Sequence, residues 1–266
     1  MPDSCPGSPL PAPLPVVDLW LLATETVDSA DLAHLSTCLD PTEQDKIQTL
    51  ARPQARRQFI LSRGCRRVLL SHYTGQPPAS LRFVYGPHGK PVLDFSAEDG
   101  IVPRFNLSHS GQRILIGVSG ADGVGAIGVD VEKVRSVRYL PELCDRYFTP
   151  TEAQSILALR GHEADCHFLR HWTGKEACLK ALGLGIADSL KKLELTPPLD
   201  LGSDLTPVAL SAPNLPQPPQ QLYQWQPEPG YLAAVAVQAS APMEECFRLH
   251  QTTPQALVSG TAFSPL

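Results

Sequence analysis

The stretch DPTEQDKIQTL, residues 40–50, recurs as TPTEAQSILAL at residues 149–159. A shift of 109 positions aligns the Pro-Thr-Glu triplet of the two copies, and it continues without a gap into the segments that follow. The further matches are Ile47 with Ile156, Leu50 with Leu159, Phe59 with Phe168, Leu70 with Leu179, Ser80 with Ser189 and Leu81 with Leu190. Repetition of one supersecondary unit predicts two similar structural units in this chain.

Each copy opens with the signals of a helix N-terminus. Asp40 or Thr149 stands at the N-cap, a proline follows in the first turn, and Glu43 or Glu152 can close a capping box. A longer helix is predicted next, over roughly residues 53–73 in the first copy and 163–182 in the second. Each of these helices leads into a predicted strand, SLRFVYG or SLKKLEL.

Two further strands are predicted, one in QRILIGVSG and one in GYLAAVAVQ, which follows a Pro-rich stretch over residues 197–219. Together these elements predict an α+β fold of two similar lobes related by a pseudo-two-fold axis. Because small-molecule sites form between domains, we expect the active site in the cleft between the lobes.

The composition divides the chain into four segments. Residues 1–14, rich in Pro, Ser and Gly, are predicted to be a disordered leader. Residues 15–124 are assigned to the N-terminal lobe and residues 125–240 to the C-terminal lobe. Residues 241–266 are predicted to be a C-terminal tail, since the chain from about Gln251 resembles the leader in composition.

Cysteine content and charge narrow the class of protein. Seven cysteines without a C-x-x-C pair predict reduced thiols, a cytoplasmic location and no structural metal bound by cysteine. A formal charge of −5 argues against broad binding to nucleic acid but allows a local basic pocket for a small anion. No apolar run has the length of a membrane span, and the first residues lack the basic start of a signal peptide.

Three carboxylates are the candidate metal ligands. In the predicted strand AIGVDVEKV, Asp130 and Glu132 lie two residues apart and project from one face. Glu176 lies in HWTGKEACLKALGLG, residues 171–185, with Lys180 one helical turn further on. Three hard oxygen ligands suit Mg²⁺ and hence phosphoryl transfer. The alternatives are a solvated strand edge and an ordinary surface ion pair between Glu176 and Lys180.

The repeat shows which half carries this charge pattern. The same shift places Arg67 opposite Glu176 and Ser71 opposite Lys180, so only the second copy has the acid and the lysine. We therefore expect the metal site to belong to the C-terminal lobe.

Four ordered motifs resemble those of one enzyme family. G-V-D-V-E at 128–132 and W-T-G-K-E-A-C-L-K at 172–180 resemble the two signature motifs of the Sfp-type 4'-phosphopantetheinyl transferases. Upstream, YGPHGKPVL and FNLSHS look like the G-x-x-G-K-P and N-x-S-H elements of that family. The resemblance extends from about Lys46 to Gly185.

The resemblance implies a reaction and a set of partners. Enzymes of this family move the phosphopantetheine arm of coenzyme A onto a serine of an apo acyl, peptidyl or aryl carrier protein and release adenosine 3',5'-bisphosphate. The repeat is similar to the fused form of a family that also has half-length subunits, so we expect a monomer. We expect the carrier to dock beside the cleft, mostly on the second lobe, through acidic helices and a hydrophobic patch.

The resemblance also implies roles for the acids and for the lysine beside them. Asp130, Glu132 and Glu176 would hold Mg²⁺ against the pyrophosphate of coenzyme A, and Asp130 and Glu176 would take part in catalysis. Glu176 would also be the base for the carrier serine. Lys180 would contact the phosphates and stabilise the developing charge.

Further residues are implied in binding coenzyme A. His109 and Ser108 match the elements that touch its 3'-phosphate, and Lys90 lies in a glycine-rich loop that can approach an anion. Lys46 falls near the basic residues that grip the same phosphate. The rival candidates for that task are Arg52, Arg56 and Arg57.

Three other features receive structural interpretations. Trp172 is predicted to pack against its own helix, and Glu152 to cap the helix that it begins. His167 and His171 have the spacing of metal ligands on a helix, but no third ligand is evident, so we expect no zinc site.

Two alternative functions stay open at this point. One is a different Mg²⁺-dependent phosphoryl-transfer enzyme, and the other is a non-catalytic module that binds coenzyme A or a carrier protein. The pathway served by the carrier, whether for fatty acids, polyketides or nonribosomal peptides, is also open.

Overall fold

The computed structural model describes residues 16–94, 102–120, 124–185, 189–215, 217–239, 242–243 and 245–263. Its helices are α1 (Ser29–Thr37), α2 (Pro41–Thr49), α3 (Pro53–Thr74), α4 (Leu140–Tyr147), α5 (Pro150–Leu157), α6 (Gly161–Leu182) and α7 (Pro254–Val258). The strands are β1 (Val17–Ala23), β2 (Phe83–Tyr85), β3 (Pro91–Leu93), β4 (Arg104–Ser110), β5 (Arg113–Ser119), β6 (Val124–Lys133), β7 (Glu194–Thr196), β8 (Thr206–Pro207), β9 (Ala209–Ser211), β10 (Gln221–Trp225), β11 (Tyr231–Ala239) and β12 (Phe247–Thr252). The predicted leader, residues 1–14, lies outside the described residues.

Two four-stranded sheets, one in each lobe, form the framework of the α+β fold. The first has the strand order β12-β1-β5-β4 and shares a core with α3, and the second has the order β6-β11-β10-β8 and shares a core with α6. Side chains of β1 and β5 also join those of β6, β10 and β11 in a third core between the sheets. The prediction of two similar α+β lobes is confirmed.

The repeated helix pairs form where the sequence predicts them. Helices α2 and α5 begin at the aligned prolines, and their N-caps Asp40 and Thr149 accept hydrogen bonds from the N–H groups of Glu43 and Glu152. The long helices α3 and α6 each contain 22 residues. The chain leaves α6 through Gly183, whose φ of 67° is a conformation that glycine adopts without strain.

The first copy departs from the predicted capping box. Glu43 directs its carboxylate into the lobe, where it accepts hydrogen bonds from Arg66 at 2.8 Å and Arg67 at 2.6 Å. Both arginine side chains are buried, and a buried guanidinium requires a carboxylate partner more strongly than the helix terminus does.

In the second copy the matching glutamate both caps its helix and pairs with a buried cation. Glu152 closes the predicted capping box with Thr149 and also accepts a hydrogen bond at 2.5 Å from Lys175, which is fully buried. Because the shift of 109 aligns Arg66 with Lys175, both lobes contain a buried ion pair that ties the short helix to the long one.

One strand prediction requires correction. SLRFVYG contains β2 as predicted, but SLKKLEL begins with a 3₁₀ turn at Leu190–Lys192 and becomes a strand only at β7. The Pro-rich stretch over residues 197–219 contains the short strands β8 and β9.

The predicted C-terminal tail is wrong over residues 247–263. Strand β12 pairs in parallel with β1, and α7 and a 3₁₀ turn at Thr261–Phe263 follow it. His250 of β12 bonds to Asp18 at 2.8 Å and stacks on Trp20 with a ring-centroid distance of 3.9 Å. The last part of the chain therefore belongs to the sheet of the first lobe.

A glycine sets the distance between β6 and α6. A Cβ atom on Gly128 would lie 2.0 Å from the carbonyl oxygen of Ala177 and 2.2 Å from the backbone nitrogen of Ala181. Only glycine permits this approach, which brings the carboxylate-bearing part of β6 against the helix that carries Glu176.

Over the described residues, none of the helices combines the length and apolar character that a bilayer span requires.

Candidate active site

The three predicted acids and Lys180 lie on β6 and α6, which pack against each other. Asp130 and Glu176 are buried, with 3% and 5% of their surface exposed. The ammonium of Lys180 donates to Asp130 Oδ1 at 2.6 Å, so the lysine joins the helix to the strand rather than pairing with Glu176 on its own helix surface. The interpretation as an ordinary surface pair is therefore wrong.

Strand β4 of the first lobe holds the acids of the second lobe in place. Ser108 donates to Asp130 Oδ1 at 2.7 Å, and Ser110 donates to Glu132 Oε2 at 2.8 Å. Asn106, two residues before Ser108, accepts a hydrogen bond at 2.9 Å from the N–H of Val129. The sequence analysis missed Asn106 and Ser110, although their alternation with Ser108 in FNLSHS places all three side chains on one face of a strand.

The carboxylates repel one another. Burial, and then the nearby carboxylate of Asp130, raises the pKa of Glu176 to about 7. The same two causes, in the same order, raise the pKa of Glu132. The ammonium of Lys180 offsets only part of this effect, and an additional cation would relieve the rest.

The donor set fits Mg²⁺. Among the described residues, Asp130 Oδ2 and Glu176 Oε1 are buried oxygens with no hydrogen-bond donor. Within those residues no group of three acidic, histidine or cysteine side chains is placed to hold a metal ion. Lys180 bonds to Asp130, and Ser110 bonds to Glu132. Unpaired hard oxygens on two rigid elements are nevertheless the ligands that Mg²⁺ takes in phosphoryl-transfer sites.

A basic cluster adjoins the acids. His109, exposed on β4, has its pKa lowered first by partial loss of hydration and then by the charges of Lys180 and Arg63. Arg63 of α3 stacks over Phe59 at 5.1 Å. The sequence analysis missed Arg63, whose one available signal was its basic charge in the segment that follows Lys46. Cations of both lobes, Arg63 and Lys180, thus lie near His109, and this positive charge favours an anion there.

The remaining predicted contacts of coenzyme A lie elsewhere. Lys46 is exposed in the last turn of α2, and its side chain joins none of the contacts that the described residues make around the acids. Lys90 donates to the carbonyl oxygens of Ile127 at 3.0 Å and Ala181 at 2.8 Å.

The rival arginines support the local backbone. Arg57 donates to the carbonyl oxygens of Thr24 and Val27 at 3.1 and 2.9 Å, and Arg56 donates to that of Leu50. Arg52 occupies the N-cap position of α3. Arg56 and Arg57 are therefore engaged elsewhere. Arg63 is the arginine of α3 whose charge acts on His109.

Trp172 packs on its own helix, as predicted. Its ring stacks on Phe168 with a centroid distance of 6.0 Å and meets Tyr147 edge-on at 5.5 Å. It also lines a cavity of about 390 Å³. The other residues around this cavity include Arg135, Val137, Arg138, Leu143 and Leu169.

The two helix histidines are buried behind the acid-bearing part of α6. His171 Nδ1 lies 2.9 Å from the carbonyl oxygen of His167, and His167 Nε2 lies 3.3 Å from Ser155 Oγ. Burial lowers the pKa of each histidine to about 4, so both are neutral at pH 7.

Comparison with known proteins gives a consistent picture. Residues 126–236 match the family model of the 4'-phosphopantetheinyl transferase superfamily, and residues 26–119 match that of the 4'-phosphopantetheinyl transferase N-terminal domain. The chain is 35% identical over 222 residues to the 4'-phosphopantetheinyl transferase HetI of Nostoc sp. strain PCC 7120, a match that covers 83% of this chain and 87% of HetI.

Two relatives from other organisms are more distant. Sfp of Bacillus subtilis strain 168 is 24% identical over 149 residues, which cover 56% of this chain and 62% of Sfp. The L-aminoadipate-semialdehyde dehydrogenase-phosphopantetheinyl transferase of Rattus norvegicus is 26% identical over 201 residues, which cover 72% of this chain and 58% of the rat protein.

Proposed function

The chain belongs to the 4'-phosphopantetheinyl transferase superfamily, and on this premise we propose how it transfers the phosphopantetheine arm of coenzyme A to a serine of an apo carrier protein. The observation that carries the proposal is the pair of buried acids Asp130 and Glu176, each with an unpaired carboxylate oxygen, with Lys180 and the half-buried Glu132 beside them.

The three acids are assigned the role of metal ligands. Asp130, Glu132 and Glu176 would hold Mg²⁺, which when bound neutralises charge on the pyrophosphate of coenzyme A. Ser108 and Ser110 orient two of these carboxylates from the opposite lobe, so the first lobe contributes to the site without supplying an acid.

Proton transfer is assigned to Glu176. The carrier serine oxygen forms a bond to the β-phosphorus of coenzyme A, while the bond from that phosphorus to the bridging oxygen breaks and adenosine 3',5'-bisphosphate leaves. Glu176 accepts the proton of the serine hydroxyl, which is a weak nucleophile without a base. Lys180, on the same helix, donates hydrogen bonds to phosphate oxygens and stabilises their charge.

The terminal phosphate of coenzyme A is assigned to the basic cluster. His109, Ser108 and Arg63 lie together on β4 and α3, and the cation of Lys180 adjoins them. Lys46 remains a predicted contact of the same phosphate.

The carrier protein is assigned to the cavity beside Trp172. Its apolar wall suits a hydrophobic carrier surface, and Arg135 and Arg138 suit acidic side chains next to it. Arg135 also lies 3.6 Å from Glu132, so a carrier bound there would present its serine near the acids. This assignment agrees with the expectation that the carrier docks mostly on the second lobe.

The cellular setting and the assembly state are also proposals. The described cysteines Cys38, Cys65, Cys144, Cys166, Cys178 and Cys246 are unpaired thiols, which suits a cytoplasmic enzyme. Both lobes of the site come from one chain, which supports a monomer. Acyl, peptidyl and aryl carriers are all compatible with the arginine-flanked cavity.

A reconstituted transfer assay tests the proposal. The protein is incubated with coenzyme A, Mg²⁺ and one of several apo carrier proteins, and the intact mass of each carrier is measured. We expect one phosphopantetheine group on at least one carrier, and none when EDTA replaces Mg²⁺. Transfer that persists in EDTA would contradict the metal assignment, and no adduct on any carrier would contradict the function.

A further inference from the structure

The hairpin formed by β2 and β3 in the first lobe reaches across to the end of α6. The ammonium of Lys90, in the hairpin turn, donates to the carbonyl oxygen of Ala181 at 2.8 Å and to that of Ile127 at 3.0 Å. Ala181 lies in the last turn of α6, and Ile127 lies on β6. One cation of the first lobe therefore bonds to both elements that carry the acids.

The bond to Ala181 is a helix cap. The last carbonyl groups of a helix have no partner within the helix and carry partial negative charge, so a cation is stabilising there. Ala181 follows Lys180 directly, and Ile127 precedes Gly128, the point of closest approach between β6 and α6. Lys90 thus bonds to both β6 and α6 next to the position where Gly128 allows these two elements to approach each other.

The chain at the end of α6 lies close to this turn. A Cβ atom on Gly183 would lie 3.5 Å from Lys90 Cδ, and one on Gly185 would lie 3.1 Å from His88 Nδ1. The rest of the hairpin is largely exposed, including Val84 and Tyr85. The hairpin turn is therefore seated on the second lobe at Lys90 and His88.

We propose that Lys90 is a positioning residue, which clamps α6 onto β6 and so holds Glu176 and Lys180 against Asp130, and that its side chain does not bind coenzyme A. The kinetic part of this inference rests on the proposed function. The structural part, which concerns the end of α6, does not depend on it.

Hydrogen exchange tests the structural part. In the full-length Lys90→Met variant we expect the amides of the last turn of α6, residues 179–184, to exchange about tenfold faster than in the wild type, because this turn loses the cation that caps it at the carbonyl oxygen of Ala181. Lys192→Met, which removes an exposed lysine of the second lobe, is the matched control and is expected to leave this exchange unchanged. Unchanged exchange in Lys90→Met would overturn the inference even if the enzyme proved inactive.

Steady-state kinetics tests the positioning role. We expect Lys90→Met to lower kcat about tenfold while the KM for coenzyme A stays within about twofold, since the acids are displaced but no ligand contact is lost. Lys90→Arg, which keeps a cation that can cap the helix, is expected to recover most of kcat. A rise of about tenfold in KM with unchanged kcat and unchanged exchange would instead identify Lys90 as a contact of coenzyme A.

Discussion

Ser108 in the first lobe donates a hydrogen bond to Asp130 in the second lobe across 2.7 Å. The same carboxylate oxygen accepts from Lys180, and Lys180 in turn donates to Ser108 at 2.9 Å. Three side chains from β4, β6 and α6 therefore form one closed network between the lobes. The network is buried at Ser108 and Asp130, where each bond contributes more than it would at the surface.

A double-mutant cycle measures this network without reference to activity. Ser108→Ala and Asp130→Asn are compared with the double variant by chemical denaturation. Because Ser108 bonds to a charged group, we expect a coupling free energy of about 1–3 kcal/mol. Ser80→Ala with Asp130→Asn is the matched control pair, since Ser80 is exposed away from the network, and it is expected to be additive. Additivity in the Ser108 pair as well would show that the bond contributes nothing to folding.

Gly128→Ala tests the close approach of β6 and α6. The added methyl group would overlap the backbone of α6 at Ala177 and Ala181, so we expect a loss of more than about 4 kcal/mol or failure to fold. Gly202→Ala is the control, because the nearest atom to its added Cβ lies 4.0 Å away, and it should change stability by less than about 0.5 kcal/mol. Similar unfolding free energies for the two variants would contradict the packing described here.

The buried ion pair of the second lobe is tested by removing one partner. Lys175→Met leaves the carboxylate of Glu152 buried without its cation, and we expect a loss of about 3–5 kcal/mol in the free energy of unfolding. Adding Glu152→Gln should recover part of that loss. Glu25→Gln, at the more exposed pair with Arg113, should cost about 1 kcal/mol or less. A Lys175→Met protein as stable as the wild type would contradict the assignment.

The buried histidines predict a pH dependence of stability. Their pKa of about 4 in the fold lies below the value of about 6.5 expected when unfolded, so the unfolded state binds more protons between these values. The contribution of these two histidines to stability is therefore fully present above about pH 6.5 and is lost as the pH is lowered toward 4.

The slope of the free energy of unfolding against pH reports how many more protons the unfolded state binds. His167→Gln should lower that number by up to one, as measured from denaturation midpoints across the same pH range. Ser80→Ala, at an exposed position without a titratable side chain, is the control and should follow the wild-type slope. A His167→Gln slope identical to that of the wild type would mean that this histidine is not buried in its neutral form.

The sequence predicted the parts of the fold that depend on local signals. Proline, the N-cap residues and the repeated Glu43 and Glu152 lie within a few positions of one another, so the paired helices could be placed correctly. The partner of Asp18 in β12 is His250, which lies 232 residues away. No local pattern connects these two residues, and the composition around Gln251 concealed the strand.

The candidate site shows the same division between local and distant contacts. The acids were predicted because Asp130 and Glu132 alternate on one strand and Glu176 lies one helical turn before Lys180, and the family resemblance then agreed with this set. The two hydrogen bonds of Lys90 could not be predicted from its loop, because their acceptors are backbone carbonyl oxygens 37 and 91 residues further along the chain. Backbone acceptors leave no signature in a sequence.

The most direct test of the central claim is the rate at which the wild type and Glu176→Gln load an apo carrier, measured by intact mass with coenzyme A and Mg²⁺. Gln is nearly isosteric but cannot accept the serine proton, so we expect the wild type to add one phosphopantetheine group and the variant to be slower by about 100-fold or more. Equal thermal stability of the two proteins serves as the folding control. Loading by Glu176→Gln at close to the wild-type rate would contradict the account.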